Sequence, residues 1–383
     1  MAERSAYITA TSAFLPGPPI ENDDMEAVLG MVGGKPSRAR KIVLRASGIR
    51  RRHYVLDRHS GQPLYSNAQI TAAAVRGLLH AGFALHDIDC LACGTSLPDQ
   101  LMPNHGVMVH GELGNPCCEV IATSGICLSG IAALKYAYLT VLAGQTENAV
   151  ATGSEIASLL MHARNFDAEA EHKVAQLEAR PEIAFEKDFL RWMLSDGAGA
   201  ILVQPRPRRE ALSLRIEWID AFSFAHEQPV CMYAGADKDA EQRLTGWLTR
   251  DLGDLRAHST FAVKQDVKLL NEHVVAYTLE RPLAILKDRR ALRADSIDYF
   301  LPHMSSEYFR QPIAQTLKRA GFAIAQERWL TNLAERGNTG SASPFIMLDE
   351  LFKSGRLRPG ERLLLGVPES GRFSSAYALL TVV

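Results

Sequence analysis

The chain has 383 residues, 47% apolar and 22% charged, with 42 Lys plus Arg against 43 Asp plus Glu. That composition excludes a disordered, collagen-like or fibrous chain, and the net charge of −1 gives no global pull toward nucleic acid or anionic lipid. No run approaches the roughly 18 uninterrupted apolar residues of a membrane span, and the length allows two or three ordinary domains or one large duplicated unit.

The chain starts Met1-Ala2-Glu3-Arg4-Ser5, then runs apolar from Tyr7 to Leu15, closed by Pro16. An acid where a signal peptide needs bases predicts a first strand and a cytoplasmic protein. In a reducing compartment the six cysteines (90, 93, 117, 118, 127, 231) are expected as thiols. Residues 20–45 read as a polar, helix-prone connector with a turn at Gly33-Gly34-Lys35-Pro36. Ile70, Ala73, Ala74, Leu78 and Leu79 fall at helical spacing in 67–82, with Asn67 as N-cap and Gly82 as C-cap. Strands are predicted at 88–95 and 118–124, a buried helix from Cys127 to Gly144, and another strand ending at Val150-Ala151-Thr152-Gly153-Ser154. Residues 164–195 are highly charged, are interrupted by Pro181 and read as a surface insertion, after which 197–203 returns to strand.

Pro205-Arg206-Pro207-Arg208-Arg209 is the best break in the chain. Beyond it the order recurs: helix over 267–293, strand from Ile297 to Leu301, a Gly/Ser segment at 337–343 opening a helix near 344–354, then strands at 361–367 and 375–383. The pattern predicts an α/β fold of two similar halves, 1–205 and 206–383.

Three residues stand at strand-to-helix turns. Cys127 opens a helix within Thr123-Ser124-Gly125-Ile126-Cys127-Leu128-Ser129-Gly130, where free N–H groups favour a thiolate. His303 closes the strand Ile297-Asp298-Tyr299-Phe300-Leu301-Pro302-His303, and Asn338 lies in Gly337-Asn338-Thr339-Gly340-Ser341-Ala342-Ser343 before a helix. Taken singly, each has an ordinary structural reading: a buried thiol, a satisfied histidine, a turn or capping asparagine. The triple is more informative than its parts. Cys90-Leu91-Ala92-Cys93 has CxxC spacing but lies in a strand run, and Gly197-Ala198-Gly199 lacks the third glycine of a dinucleotide fingerprint. No metal or cofactor is expected.

These residues carry a resemblance that spans nearly the whole chain. Ser47-Gly48-Ile49-Arg50-Arg51-Arg52, Asp87-Ile88-Asp89 through Gly94-Thr95-Ser96, Pro98-Asp99, Cys127 in its turn, Gly153-Ser154-Glu155, Asp196-Gly197-Ala198-Gly199-Ala200 and Gly337-Asn338-Thr339 occur in family order. The sequence resembles β-ketoacyl-acyl-carrier-protein synthase III, a condensing enzyme of the thiolase superfamily. The resemblance implies a five-layered αβαβα fold of two pseudo-duplicated halves and a homodimer. It also implies Cys127 as nucleophile with His303 and Asn338 as partners, and acyl-CoA or acyl carrier protein thioesters as substrates. Three departures stand out. The histidine is followed by Met304-Ser305-Ser306 in place of Gln-Ala-Asn. The C-terminal glycine-rich turn is replaced by Pro368-Glu369-Ser370-Gly371-Arg372-Phe373-Ser374. Arg40-Lys41-Ile42-Val43-Leu44-Arg45 lacks the tryptophan that clamps coenzyme A.

By alignment from the C-terminus, Gly371 is the surviving candidate for the second oxyanion-hole N–H beside that of Cys127. The stretch from Lys35 to Arg45, Phe189 to Asp196 and the Pro-Glu-Ser-Gly-Arg-Phe turn are similar to the ketosynthases of dialkylresorcinol and cyclohexanedione biosynthesis, which join two acyl chains. For a β-ketoacyl second substrate, Glu155 and Arg191 are candidates for a base and its orienter, a pair that could also bind the ketone oxygen; a solvated ion pair on the insertion is the equal alternative. Met102 aligns with a position reaching into the partner subunit's tunnel. Arg289, Arg290 and Arg293 are candidates for docking an acidic carrier protein, or a solvated helix face. The open alternatives are an ordinary synthase III that decarboxylates malonyl-carrier protein in fatty-acid or polyene biosynthesis, a same-fold acyltransferase, and a silent partner subunit, against which the intact Cys, His and Asn argue.

Overall fold

A computed structural model describes residues 4–37, 39–80, 82–166, 190–239 and 241–383. Most of the charged segment predicted as an insertion over 164–195 thus lies outside the described residues. The first half supplies strands β1 (Tyr7–Phe14), β2 (Cys90–Thr95), β3 (Glu119–Ser124), β4 (Ala149–Glu155) and β5 (Gly197–Gln204). The second supplies β6 (Leu214–Ser223), β7 (Tyr299–Pro302), β8 (Arg362–Glu369) and β9 (Ser374–Val382). They form one sheet in the order β7-β8-β9-β6-β1-β5-β4-β2-β3.

The sheet repeats a pattern. In the first half β3, β2 and β4 run parallel, and β5 pairs antiparallel between β4 and β1. In the second, β7 and β8 run parallel and β9 pairs antiparallel between β8 and β6. The counterpart of β3 is reduced to a single parallel bridge, Phe300 to Trp329. The halves meet where β1 and β6 pair at Tyr7–Arg215 and Ile8–Leu214. β6 follows the Pro/Arg-rich break and had no counterpart among the expected strands.

Helices α1 (Asn67–Arg76) and α2 (His105–Leu113) cover one face of the first half-sheet. Helices α4 (Val267–Val275), α5 (Arg281–Arg290) and α6 (Arg310–Arg319) cover the far face of the second. Between the half-sheets lie α3 (Leu128–Ala143) and α7 (Ser343–Phe352). Strand periodicity explains the layering. Leu363 and Leu365 of β8 point to the central helices and join Ile131, Leu134, Phe345 and Leu348, while Leu364 between them joins Leu283 and Leu286 of the outer layer. The result is the five-layered αβαβα arrangement. Both central helices need small or apolar residues nearly all round, which is why α3 reads Leu-Ser-Gly-Ile-Ala-Ala-Leu with no charge before Lys135.

Local chemistry shifts some predicted boundaries. Ser66, not Asn67, caps α1 in a reciprocal box with Gln69, and the helix closes at Gly77. The Asn67 amide instead donates to Thr95 Oγ1 at 2.9 Å and Leu97 O at 2.7 Å, tying α1 to the end of β2. The helix predicted over 267–293 is interrupted by a π turn at Ala276–Glu280, whose Thr278 carbonyl accepts from the Tyr377 hydroxyl at 2.6 Å. A small lobe follows β6: Met232–Tyr233 pairs with Lys264–Gln265, and Ala236–Lys238 with Leu244–Gly246. Among the described residues no helix is long and apolar enough to cross a membrane.

Candidate active site

Cys127 holds the N-cap position of the 16-residue α3, immediately beyond β3. The turn needs Gly125, whose φ of 151° lies in the region that favours glycine. Gly130 on the first turn of α3 lets the second half approach: a Cβ there would lie 2.5 Å from Ser341 O. That contact brings the Asn338 loop to the helix terminus carrying the cysteine.

Two cavities converge on Cys127 and share Ser305 and Ser370. The first is lined by His303 and by apolar groups such as Leu270, Val274, Leu279, Phe309 and Ile313, so the π turn forms part of its wall. The second holds Glu155, Asn338 and Gln265 with Leu190, Met193 and Met232. Counted with their open sides, the second is larger, about 1120 Å³ against about 670 Å³.

His303 follows β7, and its backbone N–H donates to Gly366 O at 2.8 Å. The ring is buried, its Nδ1 has no partner, and burial pushes its pKa down to about 4. It is therefore a neutral imidazole at ordinary pH, able to accept a proton or donate one hydrogen bond. Asn338 is clamped by its backbone: its N–H donates to Met193 O, and its carbonyl accepts from Ser195 N–H, both at 2.9 Å. Its side-chain Oδ1 accepts from Gly340 N–H at 3.0 Å, which fixes the amide orientation and leaves Nδ2 as the donor for the cavity.

The electrostatics of Cys127 differ from the thiolate expected at a helix terminus. Burial pushes its thiol up, and the nearby carboxylates of Glu369 and Glu155 push the same way. At rest the first cavity is thus lined by a thiol and a neutral histidine.

Glu155 ends β4 and lines the second cavity. Its Oε1 accepts from Ser96 Oγ at 2.6 Å, Ser96 N–H at 3.1 Å and Ser341 N–H at 3.3 Å, while Oε2 is buried without a partner. Burial raises its pKa to about 7 against these bonds. One oxygen is anchored and the other is a bare acceptor that titrates near neutrality, which is what a base requires.

Arg191 differs from expectation. Its Nε donates to Met161 O at 2.9 Å and its Nη2 to Gly30 O at 2.8 Å, and its guanidinium lies over the Phe166 and Trp192 rings. It lines neither cavity and ties three segments together beneath the site. Proximity in sequence to the Asp196 turn did not reveal which side of that turn it occupies. Gly371 also differs. Its N–H donates to Glu369 Oε1 at 2.5 Å, so it is not available to an oxyanion. Ser370, one residue earlier, lines both cavities with Cys127. Glu369 stands at the end of β8 as Glu155 stands at the end of β4, one carboxylate from each half.

The other expected residues lie away from Cys127. Met102 is 85% exposed on the loop beyond β2, beside Leu101 at 69%. The basic trio is largely neutralised: Arg290 makes a two-pronged pair with Asp220 at 2.8 and 2.9 Å, Arg293 pairs with Asp295 at 3.0 Å, and Arg289 sits over the Phe222 ring. Cys90 and Cys93 are buried and unbridged in β2. Gln265, which sequence reasoning missed, sits on a two-residue strand too short to leave a periodic signal.

Known proteins similar to this chain cover both of its halves. The family described as 3-oxoacyl-[acyl-carrier-protein] synthase III, C terminal, matches residues 288–376. The chain is 24% identical to β-ketoacyl-[acyl-carrier-protein] synthase III of Anaplasma marginale, covering 96% of this chain and 97% of that one. It is 24% identical to the same enzyme of Methylococcus capsulatus, covering 98% and 99%. Among solved structures it superposes on AbyA1, a tetronic acid condensing enzyme, with a TM-score of 0.75 at 23% identity over 98% of this chain and 99% of that one. It superposes on OleA of Xanthomonas campestris with a TM-score of 0.74 at 19% identity over 99% of both chains. Together, the synthase III C-terminal match on the second half, the similarity to β-ketoacyl-[acyl-carrier-protein] synthase III along the whole chain and the fold shared with solved condensing enzymes make the chain similar over its full length to synthase III-type condensing enzymes.

Proposed function

We propose that this condensing enzyme joins an acyl group carried on Cys127 to a β-ketoacyl thioester, in secondary metabolism of the dialkylresorcinol or cyclohexanedione type. The observation that carries this reading is Glu155, a carboxylate with one anchored and one unpartnered oxygen in the cavity that also holds Cys127 and Asn338. Decarboxylation of a malonyl thioester yields a carbanion without a base; a β-ketoacyl thioester must lose an α proton, and Glu155 is placed to take it. A cysteine-to-serine variant of Xanthomonas campestris OleA binds lauric acid and lauroyl-CoA, and AbyA1 is a tetronic acid condensing enzyme, so neighbours of this fold include a binder of a fatty acyl thioester and a condensing enzyme.

In the first half-reaction Cys127 Sγ attacks the acyl carbonyl while His303 takes the thiol proton. The donor C–S bond breaks, and the leaving thiolate, of coenzyme A or a carrier protein, picks up that proton. The acyl chain lies in the apolar first cavity. In the second half-reaction Glu155 removes the α proton of the partner thioester, and Asn338 Nδ2 and His303 stabilise the resulting enolate oxygen. The enolate carbon attacks the acyl carbonyl, whose oxyanion is met by the Cys127 N–H and the turn at Ser370, each such donor contributing about 3–4 kcal/mol. The Cys127 C–S bond breaks and the sulfur recovers the proton held by Glu155.

Two copies are expected to act together. Strand β3 is the sheet edge and is only half-buried, so its outer backbone groups await a partner. The second reading, malonyl decarboxylation, is favoured by the names of the curated relatives. Single-turnover condensation of the acyl-enzyme with β-ketoacyl or malonyl thioester separates the two. Wild type should use the β-ketoacyl partner, with a rate that falls as pH drops through about 7, where Glu155 takes up its proton. Glu155→Gln should lower that rate ~10²–10⁴-fold while leaving Cys127 acylation intact. Turnover of malonyl thioester alone would instead identify an ordinary elongating synthase.

A further inference from the structure

Gln265 is the one polar side chain of the small lobe that both lines the second cavity and carries a buried polar atom without a well-formed hydrogen bond among the described residues. It is 3% exposed, and its Nε2 makes no well-formed hydrogen bond, meeting only the Cys231 sulfur in a weak contact. The Cys231 thiol beside it offers only a weak acceptor, and its own hydrogen is directed to Asp266 O at 3.4 Å. Leaving a buried amide N–H with no better acceptor than a thiol costs stability. Its strand neighbours in the same lining, Val263 and Met232, are apolar. The backbone of Lys264–Gln265 is pinned by antiparallel pairing with Met232–Tyr233, and the next residue caps α4 through Asp266 Oδ1 to Leu269 N–H at 2.9 Å. The amide therefore hangs from a fixed frame, in the same chamber as Glu155 and Asn338.

We propose that Gln265 recognises the β-ketone oxygen of the second substrate by donating an Nε2 hydrogen bond to it. This rests on the β-ketoacyl reading above and assigns the ketone-binding role that Arg191 does not fill. A β-ketoacyl thioester presents two oxygens flanking the carbon that loses its proton. Asn338 and His303 serve the thioester oxygen, and Gln265 serves the ketone. Charge that develops on the enolate spreads over both oxygens, so a donor at the ketone both selects the substrate and eases proton removal by Glu155. A saturated acyl thioester has no acceptor at that position and leaves the amide unsatisfied.

The test compares wild type with Gln265→Met, which keeps length and removes the donor. In a Cys127→Ala background, equilibrium binding by calorimetry is measured for a β-ketoacyl thioester and its saturated analogue. The wild-type preference for the ketone should be about 10- to 100-fold and should collapse in Gln265→Met, with saturated binding unchanged. In enzyme with Cys127 intact, single-turnover condensation with the β-ketoacyl partner should fall by a similar factor, with acylation within twofold of wild type. Gln265→Asn, which keeps the donor on a shorter stem, should recover part of the preference. Equal loss of both ligands, or an unchanged preference, overturns the assignment. Failure of wild type to condense any β-ketoacyl thioester while using malonyl thioester would sink the underlying reading instead, and is distinguishable because it appears before any change at Gln265.

Discussion

Asn338 illustrates how much a single side chain can be constrained before chemistry begins. Its backbone is clamped by Met193 and Ser195 and its Oδ1 by Gly340, so only Nδ2 remains for a substrate. An amide does not titrate at useful pH, and its contribution is confined to holding the enolate oxygen. Asn338→Ala should therefore accept an acyl group on Cys127 at close to the wild-type rate, followed by intact-protein mass spectrometry, yet condense at least 10²-fold more slowly. Loss of acylation with condensation preserved from a preformed acyl-enzyme would contradict the division of roles. At this scale the sequence was legible where placement follows from chain order: Cys127 caps α3, His303 follows β7 and Asn338 lies in the turn before α7, and all three line the cavities that meet at Cys127. It was illegible where function depends on a side chain's choice of partner. Gly371 loses its N–H to a neighbouring carboxylate, and Arg191 spends its donors on carbonyls. Spacing encodes neither event.

Strand β3 and the loop before α2 form the exposed edge of the first half. An unpaired half-buried strand invites a second strand, and Leu101 and Met102 stand out from the surface beyond it with Val107 of α2 exposed nearby. The chain should sediment as a dimer at micromolar concentration, and Leu101→Glu combined with Met102→Glu should shift it toward monomer without lowering the melting temperature of the monomeric fold. A dimer indifferent to both charges would place the interface elsewhere. Elements with strong apolar patterning were readable: β1, the fully buried parallel pair β2 and β4, and the largely apolar helix α3 sit within a residue or two of expectation. The lobe around Met232–Tyr233 and Lys264–Gln265 was not, because two-residue strands hold too few side chains to repeat. The π turn was missed because it keeps helical spacing while widening by one hydrogen bond, and that step is fixed by Tyr377 from a distant strand.

At the scale of the molecule, the repeated order of the two half-sheets places the cysteine and Glu155 on one half and the histidine, asparagine and Gln265 on the other. Covalently the halves are joined by the exposed stretch around Pro205 to Arg209. The rest of their union is non-covalent and includes the short β1–β6 pairing, the apolar central layer around α3 and α7, and the backbone bonds of Asn338 to Met193 and Ser195. Breaking the chain between Pro207 and Arg208 should leave two fragments that associate when made together and regain Cys127 acylation to within about tenfold. Each alone should be insoluble, since its inner face would be bare; co-expressed fragments that fail to co-purify would refute this. Such a pair would behave as a complementation reporter. With the nucleophile encoded on one fragment and its proton acceptor on the other, neither carries a basal rate, and any acyl adduct counts reassembled molecules directly.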